Sequence, residues 1–162
     1  MTPPLPRWLK TAKKFNGLSE VPGPRHNSTI LGWLESLRAW WRDDETPWCG
    51  VFVAYCMKES GLPYPKLYMR AKAWADYGSL LRPDRLAPGA ILVFDRAGGG
   101  HVGFYVGEDA GFYYVLGGNQ ANGVNTMKLG KSRLVASRWP KGEPVLGRPV
   151  CLKGGIVSTD EA

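Results

Sequence analysis

The chain has 162 residues, which suffice for one domain with its own core but not for two of ordinary size. A composition of 44% hydrophobic and 22% charged residues is typical of folded soluble proteins and excludes a disordered chain. The net charge of +7 favours an anionic partner, such as nucleic acid, a membrane surface or a bacterial wall polymer.

Four helices are predicted in the first half of the chain. Apolar residues recur there at helical spacing, and in the first helix they are Trp8, Ala12 and Phe15. Asn27 or Ser28 is the expected cap of the second helix, and Thr46 followed by Pro47 is typical of a helix cap and a first helical residue. The predicted helices cover about residues 8–15, 28–41, 47–60 and 71–77.

Beyond Pro88 the apolar pattern changes from a period of 3.6 to a period of two, which indicates strands. The loops are too short for crossover helices, so neighbouring strands should pair antiparallel. Helices first and strands second indicate an α+β fold, with the helices packed on a sheet of about five or six strands. The predicted strands cover residues 90–94, 101–107, 112–119, 124–128 and 135–139.

Several classes of protein are disfavoured by what the sequence lacks. No stretch approaches the roughly 18 consecutive apolar residues of a membrane helix, and residues 1–10 lack the apolar block of a secretory signal. We therefore expect no transmembrane segment and no export signal within these residues. The three cysteines form no CxxC pair and there are only two histidines, so we expect no disulfide scaffold, no metal and no other cofactor.

Cys49 is the strongest candidate for a catalytic residue. Its predicted place in the first turn of the third helix surrounds it with unpaired backbone N–H groups and the positive end of the helix dipole, which stabilise a thiolate. From position alone, the alternative is a small buried hydrophobic residue. Cys56, two turns deeper on the same helical face, is interpreted as a core residue, and Cys151 is given no catalytic role.

His101 is the candidate base, because it begins a strand directly after three glycines. If the hairpin that follows closes symmetrically, His101 lies opposite Gly118 and beside Asn119. The Asn119 amide would then fix the imidazole tautomer and direct the other ring nitrogen at Cys49. The alternative is that this Gly-Gly-Asn segment only ends a strand and forms a turn.

Four motifs agree in order and spacing with a known family. They are Thr46-Pro47-Trp48-Cys49, Pro88-Gly89, Gly100-His101-Val102-Gly103-Phe104-Tyr105 and Gly117-Gly118-Asn119-Gln120. Together they resemble the CHAP and NlpC/P60-like cysteine peptidoglycan hydrolases, above all the branch found in phage lysins. The similarity extends from about Leu5 to Pro140.

This resemblance implies a papain-like fold, with a single catalytic domain over residues 1–147 and a C-terminal tail over residues 148–162. It also implies that Cys49 is the nucleophile, His101 the base and Asn119 the third, orienting residue. In the implied reaction the thiolate attacks an amide carbonyl of peptidoglycan, the imidazole protonates the leaving amine, and water releases the acyl group.

Two residues near the nucleophile are candidates for contacting the substrate. Trp48 is predicted to form a wall of the cleft, since aromatic faces pack well on apolar surfaces. Asp44 could meet an amino group of a stem peptide, although a solvated acidic loop also explains it. The tryptophans expected in the core are Trp33, Trp40, Trp41 and Trp74.

The leading hypothesis is a peptidoglycan hydrolase, either an endopeptidase or an N-acetylmuramoyl-L-alanine amidase, that acts as a phage endolysin. We expect a monomer that binds no nucleic acid, collects in the host cytoplasm before lysis and acts on the cell wall. One alternative is a non-catalytic basic module that binds wall polymer or nucleic acid, which the net charge favours. Another is a thiol amidase that acts on a different substrate, as an antibacterial effector would.

Overall fold

The computed structural model describes residues 4–20, 26–41 and 47–152 of the chain. It confirms the α+β fold, with helices packed on one antiparallel sheet. The helices are α1 (Arg7–Lys14), α2 (Ser28–Ser36), α3 (Cys49–Glu59) and a 3₁₀ helix (Ala71–Asp76). The strands are β1 (Ser79–Leu80), β2 (Ile91–Arg96), β3 (Gly99–Glu108), β4 (Phe112–Gln120), β5 (Gly123–Gly130) and β6 (Leu134–Trp139). Within the described ranges, no helix is long and apolar enough to cross a bilayer.

The six strands lie in the order β1-β6-β2-β3-β4-β5, and each neighbouring pair is antiparallel. Helix α3 packs across β3 and β4, and the 3₁₀ helix packs on β2, β3 and β6. The short strand β1 was not predicted, because its two residues are exposed and carry no apolar alternation. The core therefore lies between α3 and the middle of the sheet.

Helix α2 begins where the sequence predicts but ends earlier. The Asn27 side chain accepts hydrogen bonds from two backbone N–H groups of the first turn, at 2.8 and 3.2 Å, which confirms the cap. The prediction that the helix reaches Trp41 is wrong, because it ends at Ser36 and Arg38 adopts a left-handed φ of 58°. The prediction of a core position for Trp40 is also wrong, since its side chain is 89% exposed.

Helix α3 begins at Cys49, so this cysteine lies in the first turn as predicted. The predicted cap, Thr46, lies outside the described residues. The N-cap is Trp48, whose φ of −126° is not helical, and Pro47 precedes the helix instead of opening it. Cys56 is fully buried in the core, as its apolar neighbours predict.

The hairpin of β3 and β4 is not symmetrical, and this displaces the residues at its open end. Phe104 pairs with Leu116, whereas the symmetrical hairpin predicts Val115. A bulge at Val106 accounts for a further shift nearer the turn. The pairing of β4 with β5 is also irregular within residues 117–120. The predicted register is therefore wrong by one residue.

The last described residues add a short stretch to the sheet beside β3, beyond the first residue of β2. Glu108 donates its N–H to the Val150 carbonyl at 2.8 Å and accepts a hydrogen bond from the Leu152 N–H at 2.7 Å, so that Cys151 forms a parallel bridge with Glu108. Leu152 packs so closely on β3 that a Cβ atom at Gly107 would lie 2.5 Å from its Cδ1. The domain boundary at residue 147 stays a prediction.

Candidate active site

Three chain segments meet at one buried point: the start of α3, the first residues of β3 and the end of β4. They carry Cys49, His101 and Gln120, whose exposed fractions are 6%, 0% and 0%. Two buried polar side chains beside a buried thiol require partners, because unpaired polar groups in a core cost free energy. The contacts among these three residues show how each is satisfied.

Close packing holds the start of α3 against the end of β4. A Cβ atom at Gly118 would lie 2.7 Å from a ring carbon of Trp48 and 2.8 Å from the Cβ of Phe52, so only glycine fits there without displacement. Trp48 is the residue directly before Cys49. This contact therefore fixes the position of the thiol relative to the strand end.

The environment of Cys49 favours its ionised form. Burial raises the pKa of the Cys49 thiol, but a hydrogen bond and the charge of the His101 imidazole lower it. The backbone N–H groups of Val102 and Gly50 lower the pKa further by hydrogen bonding to the sulfur. Together these effects outweigh burial and bring the pKa below the ordinary value of a cysteine thiol. The structure thus brings Cys49 and His101 together.

The amide that contacts the imidazole belongs to Gln120. His101 Nε2 lies 2.8 Å from Gln120 Oε1. Asn119, the orienting residue expected from a symmetrical hairpin, occupies the neighbouring position with a left-handed φ of 57°. Because the predicted register is wrong by one residue, sequence reasoning assigned the contact to Asn119 and missed Gln120. The signal was the amide that ends the Gly-Gly-Asn-Gln motif.

The orientation of the Gln120 amide follows from its donors. Its Nε2 donates to the backbone carbonyls of Val115 and Asn125, at 3.2 and 2.7 Å, and lies 3.1 Å from Asn125 Oδ1. The amide oxygen therefore faces His101, and the imidazole must donate from Nε2. In the neutral ring Nδ1 is then the acceptor, which suits it to take a proton from Cys49.

Gly117 leaves room for this contact. A Cβ atom at position 117 would lie 2.6 Å from Gln120 Oε1 and 3.4 Å from His101 Nε2. Any side chain there would displace the amide from the ring. The two glycines of the Gly-Gly-Asn-Gln motif thus have different roles. Gly118 allows close packing against α3, and Gly117 leaves room for the contact between Gln120 and the imidazole.

Two other predicted residues take no part in these contacts. Burial raises the pKa of the Cys56 thiol well above its ordinary value, with the charge of Glu59 adding to the effect. Cys151 is exposed. Among the residues that the structure describes, no three or more His, Cys, Asp or Glu side chains converge as they would around a metal ion.

The candidate substrate contacts remain predictions. The Trp48 indole is only 1% exposed, and its Nε1 donates to Glu20 Oε2 at 2.9 Å. Its ring packs against Gly118 at the end of β4, and a contact of Trp48 with substrate stays a prediction. Asp44 lies outside the described residues.

Comparison with known families gives a match over the segment that carries Cys49 and His101. The family model of the CHAP domain matches residues 41–119, a span that includes Cys49 and His101 and ends one residue before Gln120. This confirms the resemblance that the sequence motifs indicated. A search of curated proteins gave no match to the chain.

Proposed function

We propose that this CHAP-domain chain is a cysteine hydrolase that cleaves an amide bond of bacterial peptidoglycan. CHAP domains are in general cysteine amidases or peptidases. The observation that carries the proposal is a buried thiol with a lowered pKa beside an imidazole that is itself held by an amide. We assign Cys49 as the nucleophile, His101 as the base and Gln120, in place of Asn119, as the orienting residue.

The first step of the proposed reaction is acylation of the thiol. His101 Nδ1 takes the proton of Cys49, and the thiolate attacks the carbonyl carbon of the amide. The imidazolium then gives this proton to the departing nitrogen, so that the C–N bond breaks and a neutral amine leaves. The backbone N–H groups of Gly50 and Val102 stabilise the sulfur before the attack.

The second step is hydrolysis of the thioester. His101 takes a proton from water, and the hydroxide that forms attacks the acyl carbon. The C–S bond then breaks, the imidazolium returns its proton to the Cys49 sulfur, and the acyl group leaves as a carboxylic acid. Each tetrahedral intermediate carries a negative oxygen, for which we assign the backbone N–H of Cys49 as one donor. This N–H belongs to the first turn of α3, where amides have no partner within the helix.

Charge supports peptidoglycan and its associated polymers as the substrate. The chain carries a net charge of +7, and bacterial walls are rich in carboxylates and phosphates. Both an endopeptidase and an N-acetylmuramoyl-L-alanine amidase would use the same three residues, because both cleave an amide bond. We also propose that the chain acts as a phage endolysin, made in the host cytoplasm and active on the wall, on the strength of the motifs shared with phage lysins.

The proposal is tested by incubating purified bacterial walls with the wild-type chain, Cys49→Ser and Cys151→Ser. We expect clearing by the wild type and by Cys151→Ser, which changes only an exposed thiol, and none by Cys49→Ser. Mass spectrometry of the released fragments identifies the bond, since a new amine appears either on a stem residue or on the first alanine. Equal clearing by all three chains would refute thiol catalysis. Binding of walls without clearing by any chain would favour the basic binding module instead.

A further inference from the structure

We propose that Asn125 is a positioning residue that holds the Gln120 amide in the orientation the imidazole requires. The inference rests on the proposed function, because it assigns a role within the same site. Asn125 lies on β5, the edge strand beside β4, and is outside the segment that matches the CHAP domain. Its side chain contacts the site through Gln120.

The first contact acts on the side chain of Gln120. Asn125 Oδ1 lies 3.1 Å from Gln120 Nε2, and the Asn125 carbonyl accepts from the same nitrogen at 2.7 Å. An amide rotated by half a turn would place its oxygen against these two acceptors, which repel it. The acceptors of Asn125 therefore favour the rotamer whose oxygen faces His101.

The second contact acts on the backbone of Gln120. Asn125 Nδ2 donates to the Gln120 carbonyl at 2.7 Å. This bond spans a strained turn, since Asn119, Ala121 and Asn122 all have left-handed φ angles of 57°, 50° and 59°. The Asn125 amide thus contacts both the side-chain nitrogen and the backbone carbonyl of Gln120, within a segment whose backbone conformation is unfavourable.

Together the two contacts determine the tautomer of His101. With Gln120 Oε1 as the acceptor, the imidazole donates from Nε2 and keeps Nδ1 as the acceptor for the Cys49 proton. Loss of the Asn125 side chain removes one of the three acceptors of Gln120 Nε2 and the donor to the Gln120 carbonyl, while the backbone carbonyls of Val115 and Asn125 remain. The rotated amide, which offers N–H groups to Nε2, then becomes more populated. The ring would then carry its proton on Nδ1 and could not accept one from the thiol.

The test measures thiol reactivity and needs no substrate. Iodoacetamide alkylation of Cys49 is followed against pH in a Cys151→Ser background, with Asn125→Ala compared with Thr126→Ala. Thr126 is the exposed neighbour on the same strand and controls for general loss of strand stability. We expect Asn125→Ala to slow alkylation near pH 6 by about fivefold and to move the pH midpoint upward, as the loss of one or two hydrogen bonds would. We expect Thr126→Ala to match the parent chain.

Further readouts separate positioning from stability. Asn125→Ala should lower kcat on wall fragments while leaving KM nearly unchanged, because the residue does not touch the substrate. If Asn125→Ala does not fold, Asn125→Ser replaces it, since it removes the same amide but keeps a polar group. A wild-type pH profile in either folded variant would overturn the inference, whether or not the chain cleaves peptidoglycan.

The imidazole itself provides a second measurement. In ¹⁵N-labelled Cys49→Ala above about pH 8, where an ordinary imidazole is neutral, NMR should show the proton of His101 on Nε2. Adding Asn125→Ser should shift the signals toward the Nδ1–H form. A proton on Nδ1 before that change would contradict the amide orientation, and an unchanged spectrum after it would contradict the role of Asn125.

Discussion

The two cysteines of helix α3 show how different two buried thiols on one helix can be. Cys49 and Cys56 are 6% and 0% exposed, and burial raises the pKa of each. For Cys49 the imidazole and two backbone N–H groups reverse this effect, whereas for Cys56 the charge of Glu59 raises the pKa further. Neighbours, more than depth, therefore decide which thiol can react.

The largest expected difference between the two cysteines is in activity, and it is measured by replacing each of them with alanine. Cys49→Ala should lower kcat/KM on wall fragments at least about a thousandfold, as loss of a catalytic nucleophile does, because no other group forms the acyl intermediate. Cys56→Ala should keep most of the activity. Rates are compared at equal concentrations of folded protein. Residual activity in Cys49→Ala equal to that of Cys56→Ala would mean that the two thiols do not differ in function.

Selective alkylation compares the thiols within one molecule. Because the pKa of Cys49 is lowered and that of Cys56 is raised, a thiolate forms at Cys49 at a pH where Cys56 stays protonated. At pH 7 iodoacetamide should modify Cys49 about a hundredfold or more faster than Cys56, and the rate at Cys49 should fall as the pH drops through its lowered pKa. Peptide mass spectrometry gives both rates, with exposed Cys151 as a reference for reagent access. Equal rates at Cys49 and Cys56 in the native chain would contradict the comparison.

Replacing Gln120 should lower the activity less than replacing Cys49 but more than replacing Asn119. Gln120→Ala should reduce kcat about 10- to 100-fold, because the ring loses its acceptor and His101 samples the wrong tautomer. Asn119→Gly is the matched control, since glycine keeps the left-handed backbone of this position while removing the amide. If Asn119→Gly lost more activity than Gln120→Ala, the third residue would be Asn119.

The smallest expected effect concerns stability alone. Cys56→Ala should lower the free energy of unfolding by about 1 kcal/mol at pH 7 through a small cavity. The pKa of Cys56 is raised in the folded chain, so its thiol ionises first in the unfolded state, and wild-type stability is lost as the pH rises above about 9. Urea unfolding at pH 7 and pH 10 should therefore show a smaller difference between the two chains at the higher pH. A difference that grows with pH would mean that Cys56 is not the buried, neutral thiol described.

Much of the fold could be predicted because the signals are local. The change of period near Pro88, the Asn27 cap and the place of Cys49 in a first turn depend on residues close together in the sequence. These three features needed no knowledge of distant contacts. The meeting of Cys49 with His101 is a distant contact, and it was expected from the family resemblance of the motifs around the two residues.

The remaining details depend on packing between distant segments. Whether Asn119 or Gln120 contacts His101 depends on one bulge and one irregular strand pairing, and no residue type in the sequence predicts either of them. The early end of α2, and with it the exposed Trp40, results from one left-handed residue, Arg38, that is not glycine. Helix α3 starts at Cys49 and not at Pro47 because the backbone of Trp48 is not helical, with a φ of −126°.

The short stretch at residues 150–152 also affects how one copy of the molecule meets another. Its hydrogen bonds occupy the N–H and C=O of Glu108, where β3 extends past the residues that pair with β2. Open strand edges recruit strands from other chains and seed aggregates. By pairing with this edge, the stretch leaves the N–H and C=O of Glu108 unavailable to a strand from another molecule.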